Sequence, residues 1–160
     1  MKNKILLLSL LISVLIASSG CLKQTSGNGC TDKLVSSETP AMQAYASANG
    51  ITATTHASGL LYQIINQGSS VMPTATSTLY VKYTARYVSN NNLLDEATTS
   101  TNIGTLNGLI AGWQIGLPLI GEGGIIKLII PSSLAYGCSG RNPVPGDAIL
   151  YFQIELVDVQ

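Results

Sequence analysis

Residues 112–152 read GWQIGLPLIGEGGIIKLIIPSSLAYGCSGRNPVPGDAILYF. The stretch opens on Trp113, the only Trp of the chain. Leu109, Ile110, Trp113 and Leu117 recur at roughly helical spacing, and Pro118 keeps that helix short. Gly121-Glu122-Gly123-Gly124 reads as a turn. Residues 125–130 then form a strand that Pro131 closes, and the loop Ser132-Ser133-Leu134-Ala135-Tyr136-Gly137 leads away from it. Residues 148–159 are a last strand. An interior Trp113, a loop Tyr136 and a strand Phe152 can converge on one small apolar pocket with a hydroxyl at its rim.

Working outward, Leu60, Tyr62 and Ile64 alternate with Leu61, Gln63 and Ile65 until Gly68 breaks the run. Residues 79–88 are β-branched and aromatic with polar residues interleaved, a strong strand pattern. Asn90-Asn91-Asn92 is a turn, and Leu93-Leu94-Asp95 begins the next segment. Residues 98–104 are polar and read as loop. Residues 40–48 hold helix formers, with Pro40 near the start and Asn49-Gly50 as a stop. Strands dominate around one short apolar helix. The expected class is α+β: a strongly bent antiparallel sheet, a half-barrel, wrapped on that helix.

The front of the chain reads differently. Lys2 and Lys4 precede an apolar run over residues 5–17, too short to span a bilayer comfortably and suited to a signal-peptide core. Ser18-Ser19-Gly20-Cys21 resembles a bacterial lipobox, with Ser18 where Leu is usual. The expected organisation is a lipoprotein signal peptide at 1–20 and a flexible tether at 21–39 after a lipidated Cys21. A short helix and linker occupy 40–57, and the globular domain 58–160. Without Lys2 and Lys4, six basic residues face eight acidic ones, a net charge of −2. No basic stripe exists, so nucleic acid is not an expected partner.

The remaining cysteines, Cys30 and Cys138, match no zinc spacing, and His56 is the only histidine. Export to an oxidising compartment would permit a disulfide between them; two independent thiols are the other reading. A pair would stiffen the loop after Gly137 and pin the tether over the domain. Gly121-x-Gly123-Gly124 lacks the Lys-Ser/Thr of a phosphate loop. A single His gives a Ser-His-Asp triad little support.

Several pieces, in this order, resemble the FKBP family of peptidyl-prolyl isomerases over roughly residues 58–159. They are Ser58-Gly59-Leu60-Leu61-Tyr62, Val81-Lys82-Tyr83-Thr84-Ala85, Leu94-Asp95, Leu106 to Trp113, Ile130-Pro131-Ser132-Ser133-Leu134-Ala135-Tyr136-Gly137, Val144-Pro145 and Leu150-Tyr151-Phe152. The resemblance implies an FKBP-like fold and a pocket for a prolyl ring. Trp113 would be its floor, with Tyr83, Phe152, Leu109, Ile110 and Val144 as walls. The Ile110 amide and the Tyr136 hydroxyl would bond substrate carbonyls, and Asp95 would hold Tyr83 or the twisted amide. No cofactor or metal is implied.

Leu94 stands where the family has Phe, and Gly104 where a rim aromatic is common, so a wider, less aromatic rim is expected. The implied partners are proline-containing unfolded or nascent exported polypeptides, with the membrane reached through the lipid. No long N-terminal dimerisation helix is read, so a monomer is expected. Leu22 after Cys21 is not an Asp retention signal, which points to the outer membrane facing the periplasm. A binding or chaperone module with little catalysis is the competing function, and a mainly structural envelope lipoprotein a third.

Overall fold

The run at 78–87 is a long strand, second from one edge of a six-stranded antiparallel sheet. A computed structural model describes residues 29–160; the leader, Cys21 and the first part of the expected tether lie outside them. In chain order the elements are α1 (Val35–Ala48), β1 (Thr54–Thr55), β2 (Leu61–Asn66), β3 (Thr78–Tyr87), β4 (Leu93–Thr105), α2 (Ala111–Gly116), β5 (Ile125–Ile130) and β6 (Leu150–Val159). The strands lie side by side as β1-β2-β5-β6-β3-β4. This is the α+β class expected from the sequence.

Alternation sorts the side chains onto two faces. Leu128, Ile130, Leu150, Phe152, Ile154 and Leu156 pack with Trp113 and Leu117 on one face. Ile129, Tyr151 and Leu61 point to the other, where Met42, Tyr45 and Ala46 of α1 cover them. The sheet is therefore packed on both faces, by α2 within its curve and by α1 behind. Two glycines let α2 lie close to β5. A Cβ on Gly112 would come within 2.5 Å of Ile130 Cγ2, and one on Gly116 within 2.7 Å of Leu128 Cδ2.

Three expectations are corrected. The helix expected at 40–48 begins at Val35, inside the segment read as tether, and carries Pro40 within it. Side chains offset the broken pattern of the first turns: Ser37 Oγ–H donates to Leu34 O at 2.7 Å and Thr39 Oγ1–H to Val35 O at 3.0 Å. Glu38 is buried against the body of the domain. Tertiary anchoring thus overrides a poor local signal.

Residues 98–104, read as loop, belong to β4. This strand lies at the edge of the sheet with most residues exposed, so polar threonines suit it, and they are β-branched. The helix read over 109–117 is regular only from Ala111 to Gly116. Single 3₁₀ turns flank it at Leu106–Gly108 and Leu117–Leu119, the second holding Pro118.

Candidate active site

The open side of α2 faces a cavity of about 450 Å³, within the usual size range of small-ligand sites. Each wall comes from a different element. β3 supplies Tyr83 and Ala85, and β4 supplies Leu94, Asp95 and Ile103. The turn into α2 supplies Gly108, Leu109 and Ile110, and the helix Trp113. β6 supplies Phe152, and the long connection from β5 to β6 gives Tyr136 and the stretch from Arg141 to Val144. All nine candidates from the sequence, Tyr83, Leu94, Asp95, Leu109, Ile110, Trp113, Tyr136, Val144 and Phe152, line this one cavity.

Register explains the convergence. Ala85 pairs with Asp95 on one side and with Phe152 on the other. Phe152 and Asp95 thus flank one small residue and leave room above it. Trp113, 5% exposed, sits between two aromatic rings. Tyr83 meets it at 5.6 Å and 82°, Phe152 at 5.3 Å and 89°. Edge-to-face contacts of this kind hold rings in fixed orientation.

The polar groups are few and placed at the rim. Tyr83 donates its hydroxyl to Asp95 Oδ2 at 2.5 Å, and Asp95 Oδ1 accepts the Glu96 N–H at 2.9 Å. Both oxygens of Asp95 are occupied, so the carboxylate is held still and in turn holds Tyr83 against Trp113. Ile110 caps α2: its carbonyl accepts the N–H groups of Trp113 and Gln114, while its own N–H has no hydrogen-bond partner among the described residues.

Ile103, Ala85, Gly108, Arg141, Asn142 and Pro143 escaped the sequence reading. Ile103 was hidden because its stretch was read as loop; alternation within β4 would have found it. Gly104, expected at the rim, is not part of the lining, and Ile103 beside it is. Arg141 is exposed, yet its guanidinium lies 5.9 Å from the Tyr136 ring centre, so it also borders the cavity. Cys30 and Cys138 are joined as a disulfide, with Cα atoms 5.7 Å apart.

Burial, the hydrogen bond to Asp95, and the charges of Asp95 and Tyr136 push the Tyr83 pKa from 10.0 up to about 12. Tyr151, behind the sheet, is also pushed up to about 12, by burial first and then by Tyr45, with Arg86 pulling the other way. The unfolded chain gives up these protons first. Stability is therefore unaffected by them below 10.0 and falls as pH rises towards about 12. Urea unfolding across that window is expected to show the fall, and Tyr83→Phe with Tyr151→Phe to flatten it. An equally steep fall in the double variant would reject the assignment.

A family model for the FKBP-type peptidyl-prolyl cis-trans isomerase matches residues 69–157. Among curated proteins, the FKBP-type peptidyl-prolyl cis-trans isomerase FkpA of Escherichia coli K12 is 36% identical over 107 residues, 66% of this chain and 40% of that protein. The protein of the same name from Aeromonas hydrophila is 33% identical over 121 residues, covering 74% and 44%. The chain thus spans under half the length of these relatives. Among solved structures, FkpA from Escherichia coli superposes with a TM-score of 0.68 at 31% identity, covering 77% of this chain and 59% of that one. A peptidyl-prolyl cis-trans isomerase from Pseudomonas syringae gives 0.65 at 25% identity, covering 82% and 99%.

Proposed function

The chain belongs to the FKBP-type peptidyl-prolyl cis-trans isomerase family, and on that premise we propose that its cavity turns X-Pro bonds in exported polypeptides at the cell envelope. The observation that carries the reading is the cavity itself: a floor of Trp113 clamped edge-on by Tyr83 and Phe152, with hydroxyl and amide groups only at its rim.

The chemistry follows from the amide. Rotation about X-Pro crosses a barrier of roughly 18–20 kcal/mol because the C–N bond has partial double-bond character. Uncatalysed exchange takes tens to hundreds of seconds, by the usual order of magnitude. In the twisted state conjugation is weakened, and the carbonyl oxygen carries less negative charge. An apolar pocket favours this less polar state, and a shape that fits it better than either planar form lowers the barrier further. In this reading the prolyl ring lies on Trp113 between Phe152 and Tyr83. The Ile110 N–H and the Tyr136 O–H donate to substrate carbonyls, and Asp95 keeps Tyr83 in place. No nucleophile takes part.

Delivery to the envelope rests on the sequence alone: the apolar leader, the lipobox-like Ser18 to Cys21, and Leu22 after it. In this reading Cys21 carries the lipid, and the domain works as a monomer near the outer membrane.

The test is an isomerisation assay on a panel of X-Pro peptides. Asp95→Ala removes a charge-assisted hydrogen bond of about 1.5–3 kcal/mol and should lower kcat/KM about ten- to hundredfold. Tyr136→Phe should lower it about two- to tenfold. Full activity in both variants would refute the site. A folded protein that accelerates no peptide but suppresses aggregation of a test protein would favour the binding module. Leu94, which leaves the rim less aromatic, would then be the first residue to examine.

A further inference from the structure

Tyr136 stands on a loop that the N-terminal segment of the chain ties down from outside the cavity. We propose that Glu38 is a positioning residue for the reaction, holding the Tyr136 hydroxyl at the rim through Ser132; the proposal rests on the isomerase reading above. Glu38 is 4% exposed and Ser132 is fully buried. Glu38 Oε2 accepts the Ser132 N–H at 2.9 Å. The Ser132 carbonyl in turn accepts the N–H of Ala135 at 3.0 Å and of Gly137 at 2.8 Å. Those two residues flank Tyr136. One carboxylate oxygen thus holds the residue whose carbonyl holds both neighbours of the proposed hydrogen-bond donor.

Stability alone does not account for this carboxylate. Glu38 Oε1 and Ser132 Oγ are buried and have no hydrogen-bond partner among the described residues. A buried polar group left partly unsatisfied is costly, and an apolar side chain in its place would avoid that cost. What leucine could not supply is the acceptor for the Ser132 N–H.

Neighbouring residues of the same segment act on the same loop. Asp32 Oδ1 accepts the Cys138 N–H at 2.7 Å, and Cys30 is bonded to Cys138. Lys33 Nζ lies 3.4 Å from Asp147 Oδ2, and the Asp147 N–H donates to Gly137 O at 2.9 Å. Every one of these ties lands between residues 132 and 147, the stretch that carries Tyr136 and Val144. Catalytic donors are sensitive to small displacements, so a brace at this point acts on rate.

The test measures kcat/KM on an Ala-Pro peptide for Glu38→Leu and Glu38→Gln, each with Tyr136 and with Tyr136→Phe, using the oxidised full chain. Glu38→Gln keeps an accepting oxygen and should stay near wild type. Glu38→Leu should lose about tenfold when Tyr136 is present and less than about twofold in the Tyr136→Phe background. Equal losses in both backgrounds, or no loss in folded Glu38→Leu, would overturn the proposal. If Glu38→Leu does not fold, Asp32→Ala, an exposed position, must show the same dependence on Tyr136, and independence would overturn it. Amide exchange adds a readout separate from turnover: Ala135 and Gly137 should exchange faster in the variant while β5 does not. An inactive wild type would sink the isomerase reading instead, and unchanged exchange at those two amides would sink the brace.

Discussion

Replacing Trp113 with alanine is expected to lower the free energy of unfolding by about 3–5 kcal/mol and to remove isomerase activity. Trp113 is the largest of the residues shared by the core and the cavity, with Ala85, Val144 and Phe152. It is 5% exposed and belongs to the main apolar cluster with Leu117, Leu128 and Phe152. It also gives Tyr83 and Phe152 the surface on which both rings rest. Alanine would leave a void beneath α2 that Gly112 and Gly116 cannot fill, having no side chains. Unfolding should be followed by circular dichroism, since the substitution removes the chain's only indole. Trp113→Phe separates the two effects: it should restore much of the stability while leaving kcat/KM reduced, because a smaller floor no longer meets both rings. A stable Trp113→Ala variant with wild-type turnover would show that the floor lies elsewhere.

The second large effect should come from Cys30 and Cys138. Their bond joins positions 108 residues apart. Closing so long a loop in the unfolded chain is worth up to about 5 kcal/mol in the entropic model, and losses of about 2–5 kcal/mol are typical on removal. Replacing both with serine is therefore expected to lower the urea midpoint markedly. The effect should not be confined to stability. Residues 30–38 hold the Tyr136 loop through Cys30, Asp32, Lys33 and Glu38, and the serine variant keeps only the non-covalent ties. Turnover by the folded fraction should fall, though less than in Glu38→Leu. A midpoint equal to that of the oxidised wild type would mean that the cross-link constrains the folded state no more than the unfolded one.

The sheet and its pocket were largely legible because period and motif agreed. Residues 79–88 alternate cleanly, and the stretch from Ile130 to Gly137 carries a specific match to the family. Leu109, Ile110 and Trp113 were placed in the pocket by the family resemblance, and of the three only Trp113 lies on the short helix that their spacing suggested. What stayed hidden has physical reasons. β4 carries threonines and asparagine at an edge, where no second layer demands apolar residues, so its polarity resembled a loop and concealed Ile103. Pro40 suggested a helix start because proline suits the first turn. The actual start at Val35 is held by the local bond from Ser37 to Leu34 and by the bond between Glu38 and Ser132, which no local pattern reveals. Glu38 could not be found at all: a glutamate beside Pro40 looks solvated, and only the fold brings it to Ser132, 94 positions away. Arg141 shows the converse, an exposed residue whose place over Tyr136 depends on a loop with no periodicity to read.

The most direct test is exchange NMR on an Ala-Pro peptide, with and without the protein at catalytic concentration, at a pH below 10.0, the ordinary tyrosine pKa. Free peptide interconverts in tens to hundreds of seconds, by order of magnitude, too slowly to give cis–trans exchange peaks on the timescale of the experiment. The account predicts exchange peaks on adding wild type, strongly reduced with Asp95→Ala and absent with Trp113→Ala. No exchange with folded, oxidised wild type, on any peptide that binds the cavity, would contradict it.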